Sequence, residues 1–143
     1  MQQQLQLITL AGIKVDTPVY EISIPTQSGV ISVYPGHEPL VTVATPGAIA
    51  VRFSKDHDDI EYYAISGGVV KIDQAGVEVL VDEADHGEDI IEADTQAALQ
   101  SAIELRDNAQ DQIELDRAHQ LVDRHSVRLK VADLQRRRRR RGQ

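Results

Sequence analysis

Thr26-Gln27-Ser28-Gly29-Val30-Ile31-Ser32-Val33-Tyr34-Pro35-Gly36-His37-Glu38-Pro39-Leu40 is the stretch on which the fold turns. It sets a glycine turn, a short β-branched strand and a Pro-Gly-His-Glu-Pro corner within one run. Pro35, Gly36 and Pro39 restrict the backbone and favour a rigid corner, with His37 and Glu38 expected as exposed polar groups. The same alternation of strand and punctuation continues on both sides. Tyr20-Glu21-Ile22-Ser23-Ile24 alternates, as does Ile49-Ala50-Val51-Arg52-Phe53, and Val77-Glu78-Val79-Leu80-Val81 puts three valines on one face. Residues 60–65 and 69–72 are β-branched and aromatic. A period of two with such residues predicts half-buried strands.

Turn residues recur throughout: Asp16-Thr17-Pro18, Gln27-Ser28-Gly29, Pro35-Gly36, Thr45-Pro46-Gly47, residues 55–59, Ser66-Gly67-Gly68 and residues 73–76. This spacing predicts an antiparallel β-sandwich of about ten short strands rather than βαβ units. Pro39 and Pro46 cannot donate ladder hydrogen bonds and are expected at strand ends or edges.

Composition narrows the function. The chain has 143 residues, no cysteine, no tryptophan and one phenylalanine, so its core is aliphatic and there is no thiol or disulfide chemistry. Met1-Gln2-Gln3-Gln4-Leu5 lacks the basic and apolar regions of a targeting segment. No apolar run approaches a membrane span. These features suggest a soluble, cytoplasmic chain that can still sit on a membrane complex. The net charge of −8 conceals an asymmetry, because residues 136–141 are all arginine; the rest holds nine basic residues against 23 acidic ones. An acidic body repels nucleic acid, whereas a basic tail attracts polyanions or acidic protein surfaces.

At Asp82-Glu83-Ala84-Asp85-His86-Gly87-Glu88-Asp89 strand formers give way to charge. The expected division is a β-sandwich domain over 1–88 and a helical hairpin with its arginine tail over 89–143. A first helix over about 95–109, capped by Asp94, carries the stripe Ala98, Leu99, Ala102, Ile103, Ala109. Asp107-Asn108 reads as a break. A second helix from about Asp111 carries Ala118, Leu121, Val122, His125, Leu129, Ala132, with Arg117, Arg124 and Arg128 on another face. Such narrow stripes make a hairpin that is marginal alone. It must lean on the sandwich or on a partner, and it is an element able to release either.

No catalytic constellation emerges. His57-Asp58-Asp59 and His86-Gly87-Glu88-Asp89 offer imidazole and carboxylate, but such loop clusters are ordinarily solvated, and no metal site is expected. Ser66-Gly67-Gly68 lacks the Gly-x-Ser-x-Gly elbow and reads as a turn. His125 reads as a packed histidine. The tail admits three readings: a solvated helix end, a nucleic-acid contact, or docking onto an acidic protein surface.

Taken in order, the pieces resemble the epsilon subunit of bacterial and chloroplast rotary ATP synthases. They are Ile24-Pro25-Thr26-x-x-Gly29, Tyr34-Pro35-Gly36-His37-x-Pro39-Leu40 with Thr42, Pro46-Gly47, Ser66-Gly67-Gly68 followed by residues 77–82, and Leu129-Lys130-Val131-Ala132-Asp133-Leu134. The resemblance covers about residues 5–135. It implies a non-catalytic central-stalk rotor subunit of a proton-translocating ATP synthase, peripheral on the cytoplasmic face of the cell membrane. The sandwich would bind the gamma subunit and the c-ring, with Val30, His37 and Glu38 as ring contacts. The hairpin would permit ATP hydrolysis when folded. Extended, it would inhibit through Arg117, Arg124, Arg128, Arg136 and Arg137 against the alpha and beta subunits.

Some members of that family bind ATP on the folded hairpin through Ile-Asp-x-x-Arg-Ala and a second arginine seven residues on. Ile113, Arg117, Ala118 and Arg124 match this pattern, and Glu114 stands in place of the aspartate. Two guanidiniums on one helix face suit a triphosphate, so regulatory ATP is one expectation. Glu114 and Arg117 also make an ordinary i, i+3 surface pair, which is the other. The sequence departs from the family pattern at Ser32, where glycine is usual, at Val30, where some members are acidic, and in its longer arginine tail. The competing reading is a free-standing sandwich whose arginine-rich helix engages nucleic acid or anionic membrane. A third, an enzyme built on the histidine–acid clusters, requires a retained metal.

Overall fold

The computed structural model describes residues 1–57 and 59–141, with the side chains of 139–141 excepted. The described residues form ten strands: β1 (Gln3–Thr9), β2 (Gly12–Val19), β3 (Glu21–Thr26), β4 (Gly29–Val33), β5 (Leu40–Ala44), β6 (Gly47–Arg52), β7 (Ile60–Ile65), β8 (Gly68–Ile72), β9 (Gly76–Val81) and β10 (Ala84–His86). A 3₁₀ turn (Gly87–Asp89) leads to α1 (Glu92–Asp107) and α2 (Gln112–Arg141). The strand order is β10-β7-β6-β3-β5-β8-β9-β1-β2, with β4 added to β3. β3 meets β5 through one pair, Thr26 with Ala44, so the sheet folds there into two layers. One layer is β4-β3-β6-β7-β10 and the other is β5-β8-β9-β1-β2.

The core between the layers is aliphatic, as the composition requires. Leu5, Leu7, Val19, Ile22, Ile24, Val33, Ile49, Val51, Val70, Ile72, Val77 and Val79 are almost completely buried. The alternation read in β3, β6 and β9 is the alternation of burial in those strands. Pro39 directly precedes β5 and Pro46 directly precedes β6, each just outside the ladder.

Three expectations need correction. The sandwich is not wholly antiparallel: β1 and β9 pair in parallel, from Gln4 with Gly76 to Ile8 with Leu80. A parallel pair joins segments distant in sequence, and nothing local marks it. The acidic run contains a strand, since β10 pairs with β7 from Ala84 with Ile65 to His86 with Tyr63. Asp94 is not a cap: α1 starts at Glu92 after Ile91, whose side chain makes no capping hydrogen bond. The buried Ile90 fixes where the chain enters the helix, and Asp94 lies in the first turn, where its charge suits the helix dipole.

Two glycines show how tightly the layers are set. At Gly76, with φ +152°, a Cβ would lie 2.1 Å from the Gln4 carbonyl oxygen. At Gly12, with φ +119°, nothing lies within 4 Å of a Cβ. Gly76→Ala should therefore cost about 3 kcal/mol or more, whereas Gly12→Ala should cost only backbone strain, about 1 kcal/mol. Urea denaturation of the two variants checks the difference; equal losses would contradict it.

Candidate interaction surfaces and the helical arm

The helical arm lies folded against the sandwich. α2 runs across the outer face of β6 and β7, where Val131 and Ala132 are buried with Ala64 and Ile90, and Ala48, Tyr62 and Val127 close around them. This explains why residues 63–65 of β7 are buried on both faces instead of alternating. At 30 residues α2 is about 45 Å long.

The joint has a specific polar centre. β10 is three residues long and stops opposite Tyr63, which leaves the next N–H of β7, that of Tyr62, without a strand partner on that side. Gln135 of α2 takes the place of the strand: its Oε1 accepts the Tyr62 N–H at 3.1 Å. Gln135 is 1 % exposed. Gly87 makes room for it, since a Cβ there would lie 2.9 Å from the Gln135 Cβ.

Around this centre the arm's cations meet acids of the body. Arg124 pairs with Glu83 at 3.3 Å, Arg128 with Asp85 at 3.6 Å, and Arg138 with Asp59 at 2.9 Å. Arg136 bridges Glu92 at the start of α1 and Asp133, and Arg137 pairs with Asp133 at 3.1 Å. With the arm folded, these arginines meet acidic groups of their own chain. Arg117 is exposed and makes no ion pair among the described residues.

The five residues expected for ATP all lie on α2, and two of them have partners in the folded arm. Glu114 accepts the Gln110 N–H through Oε2 at 3.0 Å, while its own N–H donates to Asp111 Oδ1 at 2.8 Å, so it serves the start of α2. Arg124 faces Glu83, Ala118 is buried, and Ile113 and Arg117 are exposed.

The corner opens as expected and closes tighter. The His37 N–H donates to the Tyr34 carbonyl at 3.2 Å, with Gly36 at φ +86°, a type II turn built by Pro35 and Gly36. Glu38 is exposed, but His37 is half-buried, with Nδ1 2.6 Å from the Glu38 carbonyl oxygen. It does not project freely, because the turn folds its ring back on the chain. Val30 is 71 % exposed near the start of β4. It and the corner thus occupy opposite ends of one edge strand.

A second apolar surface had no sequence-level reading. Val43, Val69, Leu80, Ile8 and Ile13 stand in register on adjacent strands β5-β8-β9-β1-β2. Ile8 is half-buried, and the other four are 43 to 61 % exposed. The neighbouring row is Val41, Lys71, Glu78, Gln6, Asp16. Alternation was visible in each strand, but which strands adjoin was not.

Of the histidine–acid clusters, Asp58 lies outside the described residues, and His86 is engaged with Glu61 and the 3₁₀ turn. Among the described residues no group of three or more histidine, aspartate or glutamate side chains is placed to hold a metal. Among the described residues no helix is long and apolar enough to cross a membrane.

The model of the ATP synthase delta/epsilon chain β-sandwich domain matches residues 2–87. The ATP synthase epsilon chain of Rippkaea orientalis is 33% identical over 135 residues, 92% of this chain and 97% of that one. That of Herpetosiphon aurantiacus is 35% identical over 139 residues, 96% and 99% of the two chains. The chain belongs to the ATP synthase epsilon-chain family. Two solved structures share its fold. One is a chain of the Euglena gracilis mitochondrial ATP synthase, in an assembly of OSCP, F1 and c-ring, with TM-score 0.77, 24% identity and coverage of 93% of this chain and 81% of that one. The other is from the central stalk and c-ring of the Tetrahymena thermophila mitochondrial enzyme, with TM-score 0.61, 14% identity and coverage of 92% and 97%. The family model ends at the 3₁₀ turn, where the arm of this epsilon chain begins.

Gln135→Ala should leave the Tyr62 N–H unsatisfied and weaken docking of the arm by about 1–3 kcal/mol. Amide hydrogen exchange should then quicken in α2 but hardly in β9. Uniform acceleration through the whole chain would instead mean that the arm and sandwich open as one unit.

Proposed function

We propose that this epsilon chain is a non-catalytic rotor subunit on the cytoplasmic face of the membrane, joining gamma to the c-ring and restraining ATP hydrolysis with its helical arm. The observation that carries the reading is the pair of apolar outer faces. One, on β6 and β7, is covered by the chain's own α2. The other, the row Val43, Val69, Leu80, Ile8, Ile13, is uncovered. An in-register apolar row flanked by Lys71 and Glu78 has the make-up of an interface core with a charged margin. The gamma subunit is its proposed occupant. The β4 edge, with Val30, His37 and Glu38, is the proposed ring contact.

The arm is suited to regulation by the same physics. It is held by ion pairs that are part-exposed and therefore individually weak, plus a small cluster of apolar contacts. On release, Arg124, Arg128, Arg136 and Arg137 become available with Arg117 to acidic segments of the alpha and beta subunits. The energy difference between folded and extended arms is then small enough for partners to reverse.

Two measurements test the two halves. Val69→Arg with Leu80→Arg should weaken binding to purified gamma at least about tenfold, or about 1.4 kcal/mol, and unchanged affinity would reject the row as the gamma surface. Ending the chain after Asp89 should raise ATP hydrolysis by the assembled enzyme while synthesis-competent assembly persists. If hydrolysis does not change, the arm is not inhibitory in this member.

A further inference from the structure

His86 occupies the joint between sandwich and arm, and its ring is read by both nitrogens. Nδ1 accepts the Glu88 N–H at 3.0 Å, capping the 3₁₀ turn Gly87–Asp89. Nε2 lies 3.1 Å from Glu61 Oε2, which also accepts the Tyr63 hydroxyl at 3.0 Å. The ring stands edge-on to Tyr63, centroids 4.8 Å apart. These partners select one tautomer: the proton sits on Nε2 and the lone pair on Nδ1 faces an N–H.

The turn that His86 caps is the one against which the arm seats. Gly87 is in contact with Gln135, and Ile90, directly after the turn, is buried with Val131 and Ala132. A second proton, on Nδ1, would set N–H against N–H. The Glu88 amide would lose its acceptor, and the ring would have to turn away from it. We infer that His86 is an acid-sensitive catch for the arm: its neutral form holds the turn in the shape that seats Gln135, and its protonation releases α2 from the sandwich.

The charges around the ring fit this direction. Glu61 on β7 faces the ring, but β7 and β10 both belong to the sandwich, so this contact is present with the arm docked or released and cancels from the coupling. Burial first, then Glu61, pushes the Tyr63 phenol up, so it remains a donor to Glu61 throughout the relevant range. On the turn, Glu88 and Asp89 are acidic. On β10 itself, Asp85 pairs with Arg128 of α2.

A second histidine pulls the same way from the arm. His125 on α2 is held below the ordinary imidazole value, by burial first, then by Arg128 and Arg124, with Glu83 opposing. Its contribution to docking is complete above the ordinary value and is lost as pH falls through the lowered one. The experiment must therefore separate the two.

The inference rests on the mobile-arm reading, and the test keeps the two apart. The chain has no cysteine, so Gln74→Cys and Ser126→Cys give unique spin-label sites, both exposed. In the full chain carrying His125→Gln, the docked-to-released ratio should fall about tenfold between pH 8 and pH 5.5. His86→Asn keeps an acceptor for the Glu88 N–H but does not titrate, and its ratio should hold within about twofold. An undiminished response in His86→Asn would overturn the inference. Val131→Asp, which places a charge in the joint, should release the arm at both pH values; failure to do so counts against the mobile arm itself. Coupling is reciprocal, so the His86 ring resonances should titrate differently in wild type and Val131→Asp, the released ring protonating first as pH falls. Superimposable curves would also overturn the inference, whether or not His86→Asn folds.

Discussion

An unfinished strand edge governs the arrangement of this molecule. β10 supplies three residues to the edge of β7 and then ends, because His86 turns into a 3₁₀ segment instead of continuing the ladder. The next amide of β7 is part-buried under α2 and needs an acceptor. Gln135 provides it from a helix some seventy residues on. That single bond sets the register of α2 on the sandwich. It also explains the absence of a side chain at residue 87, and why α2 must pass where Ala48, Ala64 and Tyr62 offer a shallow surface.

Charge then decides how firmly the arm sits. The body carries a large acidic excess and the arm's tail is basic, so the hairpin is drawn to its own sandwich before any partner is present. Yet each arm–body pair is part-exposed, and such pairs contribute about 0–1 kcal/mol apiece. The apolar joint is small, and its residues are mostly alanine and valine. The hairpin is consequently docked through contacts that are individually weak, as the proposed release requires.

Much of the fold was legible, and the failures share a cause. Ile22 and Ile24, Ile49 and Val51, and Val77, Val79 and Val81 were readable as inward-facing because one face of each strand is solvated or shallowly covered. Residues 63–65 defied alternation because a helix covers their other face, a fact stored in α2 and not in β7. Register between strands is likewise non-local, so neither the parallel β1–β9 pair nor the row from Val43 to Ile13 was visible. The helix stripe was read through Ala132 but omitted Val131, which is wholly buried. It also stopped short of Gln135, whose neighbourhood of arginines disguised it. The step of four from Val127 to Val131 to Gln135 was the available signal. His37 was read as a projecting group because prolines and glycine mark a corner without saying which way the ring folds.

The placement of the two apolar outer faces has a mechanical consequence. The arm covers the β6–β7 side of one layer, and the bare row runs across the outer face of the other, with the aliphatic core between them. The two surfaces do not overlap, so an occupant of the bare row leaves the arm's seat untouched. Release of the arm likewise removes no contact from the row. Under the proposed function, a subunit held on gamma while its arm moves needs this separation. Were both surfaces on one face, any movement of the arm would compete with an occupant of the row. The sandwich keeps them apart by having two outer faces, and the chain covers one of them with its own helix.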